Sequence, residues 1–225
     1  MTNLPSGTVT FLFTDIEGST KLAQGHRETW EALCTRHHAI LQAAIESNNG
    51  YVFQIIGDAF CAAFHTGGDA INAAIKSQVD LQAENWGDAP IKVRMGIHTG
   101  EAKLQSNGDY HGYLAMSRVQ RLMSAAHGGQ VLISLSAEEL VRDELPENGS
   151  LRDMGERRLK DLIRPEHIYQ LVISNQLVDF PPIKTLDAYR HNLPIQLTSF
   201  IGREKEMEQI ARSIGGHRLV TLSGT

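Results

Sequence analysis

The chain has 225 residues, 41% of them hydrophobic, enough for one well-filled core and part of a second domain. A formal net charge of −5 creates no field that draws polyanions, which argues against direct nucleic-acid binding by this segment. Its two cysteines, Cys34 and Cys61, sit in apolar patterns and imply no disulfide framework. With no basic and hydrophobic leader, and no apolar run near the roughly 20 residues of a spanning helix, the expected setting is the cytoplasm, away from membranes.

Residues 8–13 read TVTFLF, a β-branched and aromatic run that predicts a buried strand ending at Asp15 in the turn DIEGST. From 21 to 47 the apolar positions recur at three and four, as one face of a long amphipathic helix requires, and Asn48, Asn49 and Gly50 stop it. Residues 51–56 and 59–64 predict two strands joined at Gly57-Asp58, a tight two-residue hairpin with a second acid at a strand tip. Asp69 is the expected cap of a helix to about Trp86. Strands over 91–97 and 101–104 then precede the turn signal Asn107-Gly108, and 113–126 predicts a third helix. Strands over 131–134, 151–154 and 167–172 close the domain near Ser174. The order is β-α-β-β-α-β with additions, an α/β (α+β) sandwich of ferredoxin-like type.

Beyond Val172, the prolines 181, 182 and 194 and a weak periodicity predict a linker over 175–195. Phe200-Ile201-Gly202-Arg203-Glu204 opens a helix to Ile214, and 218–223 is a β-rich run ending in Gly224-Thr225. This tail resembles the entry to a signal-transduction P-loop ATPase. The phosphate loop's lysine does not occur before Thr225, so residues 196–225 are an incomplete start of such a region and carry no assigned ATP site.

Two acids at strand tips, FTDIEGST with Asp15 and IIGDAF with Asp58, are what a two-cation phosphoryl site asks of a protein, since hard divalent ions prefer carboxylate oxygens. Each acid alone also suits a helix cap or a turn. Gly18, Ser19 and Thr20 lie where a helix begins, with backbone N–H groups suited to phosphate oxygens. In these motifs, and in order, the first three quarters of the chain resemble the catalytic domain of class III adenylate/guanylate cyclases. A diguanylate cyclase is disfavoured because its GGDEF-type hairpin is absent from IIGDAF.

The resemblance implies conversion of ATP or GTP into a 3′,5′-cyclic nucleotide and pyrophosphate with two divalent cations, Mg²⁺ or Mn²⁺, held by Asp15, Ile16 and Asp58. It implies that Gly18, Ser19, Thr20 and Lys160, in GERRLKDL, hold the triphosphate. Gln54 stands where family members carry a base-reading lysine, and its amide suits adenine or guanine according to its flip. Asp109 matches the second base contact. Arg121 matches the arginine that stabilises charge developing on the α-phosphate, with Arg118 its competitor in helix phase. One turn back, the family's asparagine is replaced by Ser117, a shorter group with fewer hydrogen bonds. Because the family's metal acids and its helix arginine come from different subunits, the resemblance also implies a head-to-tail homodimer with shared sites. The competing reading is a nucleotide-binding and dimerisation module that has lost turnover and regulates a fused ATPase, favoured by Ser117 and Gln54.

Overall fold

The unbroken β-branched and aromatic run near the N-terminus becomes the middle of a sheet. Strand β1 (Gly7–Ile16) is flanked by β3 (Ala59–Phe64) and β4 (Val93–Leu104), both antiparallel to it, and its buried residues line both faces. The structure is a computed structural model that describes residues 4–186, 209–213, 216 and 221. The chain divides into two compact units, Met1–Tyr189 and Arg190–Thr225, and the sheet with its helices belongs to the first.

Three further strands extend the sheet beyond β4: β6 (Val131–Ser134), β8 (Glu166–Ile173) and β7 (Gly149–Arg157). With β2 (Tyr51–Ile56) at the other edge, the eight-stranded sheet runs β2-β3-β1-β4-β6-β8-β7, and the short β5 (Tyr110–His111) pairs with β4 alone. Only the β4–β6 pair is parallel among the described ladders. The first four strands, in the order β2-β3-β1-β4, form the ferredoxin-like unit expected from the element order.

Helices cover both faces. On one, α2 (Trp30–Glu46) and α3 (Gly67–Ala83) bury Leu33, Leu41, Ile45, Ile71 and Ile75 against Leu12, Phe60, Phe64, Met95 and Ile97. On the other, α4 (Tyr113–Ala125) sets Ala115, Val119 and Met123 on Val9, Phe11, Phe13 and Ala102. This helix lies so close to β4 that a Cβ on Gly96 would stand 2.6 Å from the Met123 nitrogen and 2.8 Å from the Val119 oxygen. Only glycine fits there.

Several local expectations are corrected. The helix expected over 21–47 is two: α1 (Ser19–Gly25) ends where Gly25 weakens the helix, the chain turns through His26, and α2 starts at Trp30. The second helix is capped by Thr66, whose hydroxyl accepts the Asp69 N–H at 3.1 Å. Asp69 therefore sits in the first turn, where its charge complements the helix dipole, and the helix stops at Ala83 before Trp86. The strands expected at 91–97 and 101–104 are one continuous β4, because Gly100 is simply extended backbone within the ladder to β1. A short α5 (Leu135–Val141), capped by Ser134, was not anticipated. Residues 175–186, expected to be linker, lie against the domain: Ile183 is buried beside Leu122, Ala126 and Leu159. The Phe200 to Glu204 motif and all of 218–223 except Thr221 fall outside the described residues.

Candidate active site

Alternation along β1 decides what its tip presents. Phe11 and Phe13 face α4 while Leu12 and Ile16 face α2 and α3, so Asp15 follows the odd positions onto the α4 side. The ladder sets Asp15 opposite Arg94 of β4, and the guanidinium donates to Asp15 Oδ2 from Nε at 2.9 Å and from Nη2 at 2.5 Å. Arg94 Nη1 donates to the Ser124 carbonyl at 3.4 Å near the end of α4. Arg94 was not among the residues singled out from sequence. The available signal was a pair of charges, Lys92 and Arg94, at alternate positions in the strand-like run IKVRMGIH.

The second acid comes from the hairpin. Gly57, with φ 61°, lets the chain reverse in two residues between β2 and β3, and Asp58 bends over the end of β1 so that its Oδ2 accepts the Ile16 N–H at 3.0 Å. His38 of α2 steadies the same turn, with Nε2 3.1 Å from the Gly57 carbonyl oxygen. Burial raises the Asp15 carboxyl above its ordinary range, Arg94 offsets this only in part, and the facing Asp58 charge adds to the rise. Two facing carboxylates short of positive charge fit divalent cations, and the Arg94 guanidinium already stands in for one on Asp15. The Ile16 side chain is buried in the core, so its carbonyl oxygen is the only donor it has for a cation. Among the described residues no three His, Cys, Asp or Glu side chains gather as a metal group, so the acids stand as a pair.

Directly after Asp15 and Ile16 the chain turns through Gly18, in the left-handed region at φ 74°, into α1. The first-turn N–H groups of Ser19 and Thr20 have no partner inside the helix by its own geometry. Glu17 is tied down instead: its carboxylate accepts the Gly128 N–H at 2.9 Å and pairs with Lys184 at 2.5 Å. Burial works to raise its pKa, and those two partners outweigh it and hold the group low.

A separate cationic group forms around α4. Arg121 Nη2 lies 2.6 Å from Asp161, next to Lys160 in the turn between β7 and β8, while Arg118 pairs instead with Glu166 at 3.1 Å. Lys160 is exposed, and the turn is anchored by the buried Leu159 beside it. Ser117 is half-buried one helical turn before Arg121, and Gln54 is exposed on edge strand β2. The Asp109 carboxylate is engaged within its own loop by Asn107 Nδ2 at 2.8 Å. The structure thus brings together Asp15, Ile16 and Asp58 as one group and Arg121 with the Lys160 turn as another. Among the described residues no hydrogen bond or ion pair joins these two groups.

At one end of the ferredoxin-like sheet, the central strand and the hairpin thus bring two carboxylates together. The family described as Adenylate and Guanylate cyclase catalytic domain matches residues 1–171, and the chain belongs to that family. An uncharacterized protein of Mycobacterium tuberculosis is 36% identical over 206 residues, covering 90% of this chain and 70% of its own length. An adenylate cyclase of Podospora anserina is 24% identical, covering 93% of this chain and 12% of its own much longer one. In fold, a solved Trypanosoma brucei adenylate cyclase in its monomeric state superposes with a TM-score of 0.70 at 24% identity, covering 81% of this chain and 97% of that one.

Proposed function

We propose that this chain carries a nucleotide cyclase that converts ATP, or GTP, into the 3′,5′-cyclic nucleotide and pyrophosphate at sites shared by two copies. The observation that carries this is the convergence of Asp15 and Asp58 beside Ile16 at one end of the sheet. Two Mg²⁺ or Mn²⁺ ions, when bound, supply a lowered pKa for the ribose 3′-hydroxyl and a clamp on the triphosphate. Asp15, the Ile16 carbonyl and Asp58 hold them, and Arg94 offsets part of the negative charge that two carboxylates and a triphosphate bring together.

In this reading the N–H groups of Gly18, Ser19 and Thr20 orient the β- and γ-phosphates, and Lys160 follows the departing pyrophosphate as a point charge. The 3′-oxygen attacks the α-phosphorus in line, its proton passes to water, and the bond from the α-phosphorus to the bridging oxygen breaks, so that pyrophosphate leaves with the electron pair. Arg121 meets the charge that grows on the α-phosphate, a contribution of about 4–7 kcal/mol where an arginine does this in phosphoryl chemistry. Ser117 orients the ribose, and Gln54 with Asp109 reads the base.

Sharing between copies is supported by the separation of the acid pair from the Arg121 group and by apolar side chains exposed on the elements that carry them, the hairpin and α4. Ile56 is 60% exposed on the hairpin, and Tyr113 and Leu114 are 79% and 72% exposed at the start of α4. A C-terminal ATPase region in a longer parent chain belongs to the same proposal and rests on the 196–225 sequence. No helix among the described residues is long and apolar enough to cross a membrane. The second reading, a nucleotide-binding and dimerisation module with little turnover, draws on Ser117, which offers one hydroxyl in place of an amide.

The test is to incubate the pure protein with Mn²⁺ and ATP or GTP and weigh the products by mass spectrometry. Cyclic nucleotide from wild type and none from Asp58→Ala is the expected result. Product that persists in Asp58→Ala, with the fold intact by circular dichroism, removes the metal assignment.

A further inference from the structure

Residues 174–186 leave β8 and run back over three elements at once. The buried Gln170 donates from Nε2 to the Val178 carbonyl at 2.8 Å, and Arg152 pairs with Asp179 at 3.0 Å. His127 Nε2 lies 3.1 Å from the Pro182 oxygen, and Ile183, 3% exposed, fills the cluster of Leu122, Ala125, Ala126 and Leu159. The Leu186 N–H donates to the Arg158 carbonyl at 3.0 Å, two residues before Lys160.

Lys184 is the centre of this strap. Its backbone N–H donates to the Ala125 carbonyl at 2.9 Å and its ammonium to the Ala126 carbonyl at 3.4 Å, so it caps the C-terminal end of the helix that carries Ser117 and Arg121. The same ammonium pairs with Glu17, whose other carboxylate oxygen accepts the Gly128 N–H. Glu17 lies between the carbonyl of Ile16 and the N–H groups of Gly18 to Thr20. One side chain therefore spans the phosphate loop and the end of α4.

We infer that Lys184 is a positioning residue for the loop Asp15 to Thr20, acting through Glu17, so that the catalytic unit extends to the strap at 182–186. This rests on the proposed cyclase reading for what the loop does, and on geometry alone for what holds the loop. The side chains of Lys184 and Glu17 are 43% and 37% exposed, and an ion pair in that setting adds little to stability because water screens it. Its effect belongs in the order of the loop and in nucleotide binding, with little change in melting.

The experiment compares wild type with Lys184→Met, Lys184→Arg, Glu17→Gln and the Lys184→Met/Glu17→Gln double variant, all in the 225-residue chain. The first readout is amide hydrogen exchange without nucleotide. Exchange over 15–20 should quicken in Lys184→Met and Glu17→Gln and return toward wild type in Lys184→Arg, with a melting shift of at most about 2 °C. The second readout is the affinity for the non-cyclising analogue α,β-methylene-ATP with Mn²⁺. It should weaken about fivefold or more in either single variant and no further in the double variant. Unchanged exchange over 15–20 in Lys184→Met, or a double variant whose loss is the product of the single losses, overturns the inference whatever the wild type catalyses. A wild type that neither binds the analogue nor forms product, but whose loop exchange responds to Lys184→Met, instead removes the cyclase reading and keeps the positioning role.

Discussion

Ser117 is the residue where the proposed chemistry is most exposed to challenge. An asparagine there would offer two donors and an acceptor in place of one hydroxyl, so Ser117→Asn is expected to raise kcat while nucleotide affinity stays within about twofold, the pattern of a contact felt mainly in the transition state. A fall in kcat measured with Mn²⁺ would mean that the loop and helix are registered differently on the nucleotide. Two buried histidines give a second prediction at this scale. Burial first, and then the charge of His38, holds His37 at about 3, and burial with the charge of Arg118 holds His98 at about 4. In the unfolded chain both protonate near 6.5, so the unfolded state takes up protons first as pH falls. Stability is level above that pH and declines below it, through to the folded values, by about 1.4 kcal/mol per pH unit for each ring. Urea midpoints should therefore drop between pH 6.5 and 5.5, before carboxylates titrate, and His37→Leu should remove about half of the slope. A flat wild-type profile in that window would contradict the neutral burial of both rings.

Among the elements, α4 carries the most consequence for its length. Its axis approaches β4 because Gly96 presents no Cβ beneath it, and this closeness lets Arg94 touch both Asp15 and the Ser124 carbonyl. Gly96→Ala places a methyl against two backbone atoms that have no rotamer to escape into, so the helix itself must shift. The expected cost is about 1–3 kcal/mol in chemical denaturation, with a disproportionate loss of kcat as Arg121 moves with its helix. Wild-type stability in Gly96→Ala would show that α4 floats on the sheet. The hairpin is built the opposite way: a two-residue turn with a glycine at positive φ, clipped by His38 on one side and by the Ile16 N–H on the other, leaves Asp58 little freedom.

For the whole molecule, the proposed sharing of sites between two copies, with Asp15 and Asp58 from one and Arg121 and Lys160 from the other, predicts complementation between dead variants. Asp15→Ala and Arg121→Ala should each be inactive alone. Mixed in equal amounts, with free exchange, about half of the dimers pair one of each, and every such dimer has one intact site and one doubly damaged site. On the order of a quarter of wild-type activity is then expected, rising with protein concentration. No recovery, with exchange shown by tagged pull-down, would place Asp15 and Arg121 in one chain's site.

The strand TVTFLF, the hairpin at Gly57-Asp58, the helix of Arg121 and the acids at two strand tips were all readable from the chain alone. Each is written in residues a few positions apart, through alternation, helical spacing or a turn glycine. The break at Gly25 was lost because a single glycine, with no proline beside it, does not by itself end a helical pattern, and only the shape of the core decides whether one helix or two will cover the sheet. Partners far apart in sequence could not be read this way. Arg94 meets Asp15 because the β1–β4 register and strand parity put both on the α4 face, and Lys184 meets Glu17 across 167 positions because the strap returns over the end of α4. Periodicity tells which residues of one element share a face. Which faces meet, and in what register, is settled only when the sheet closes over its core.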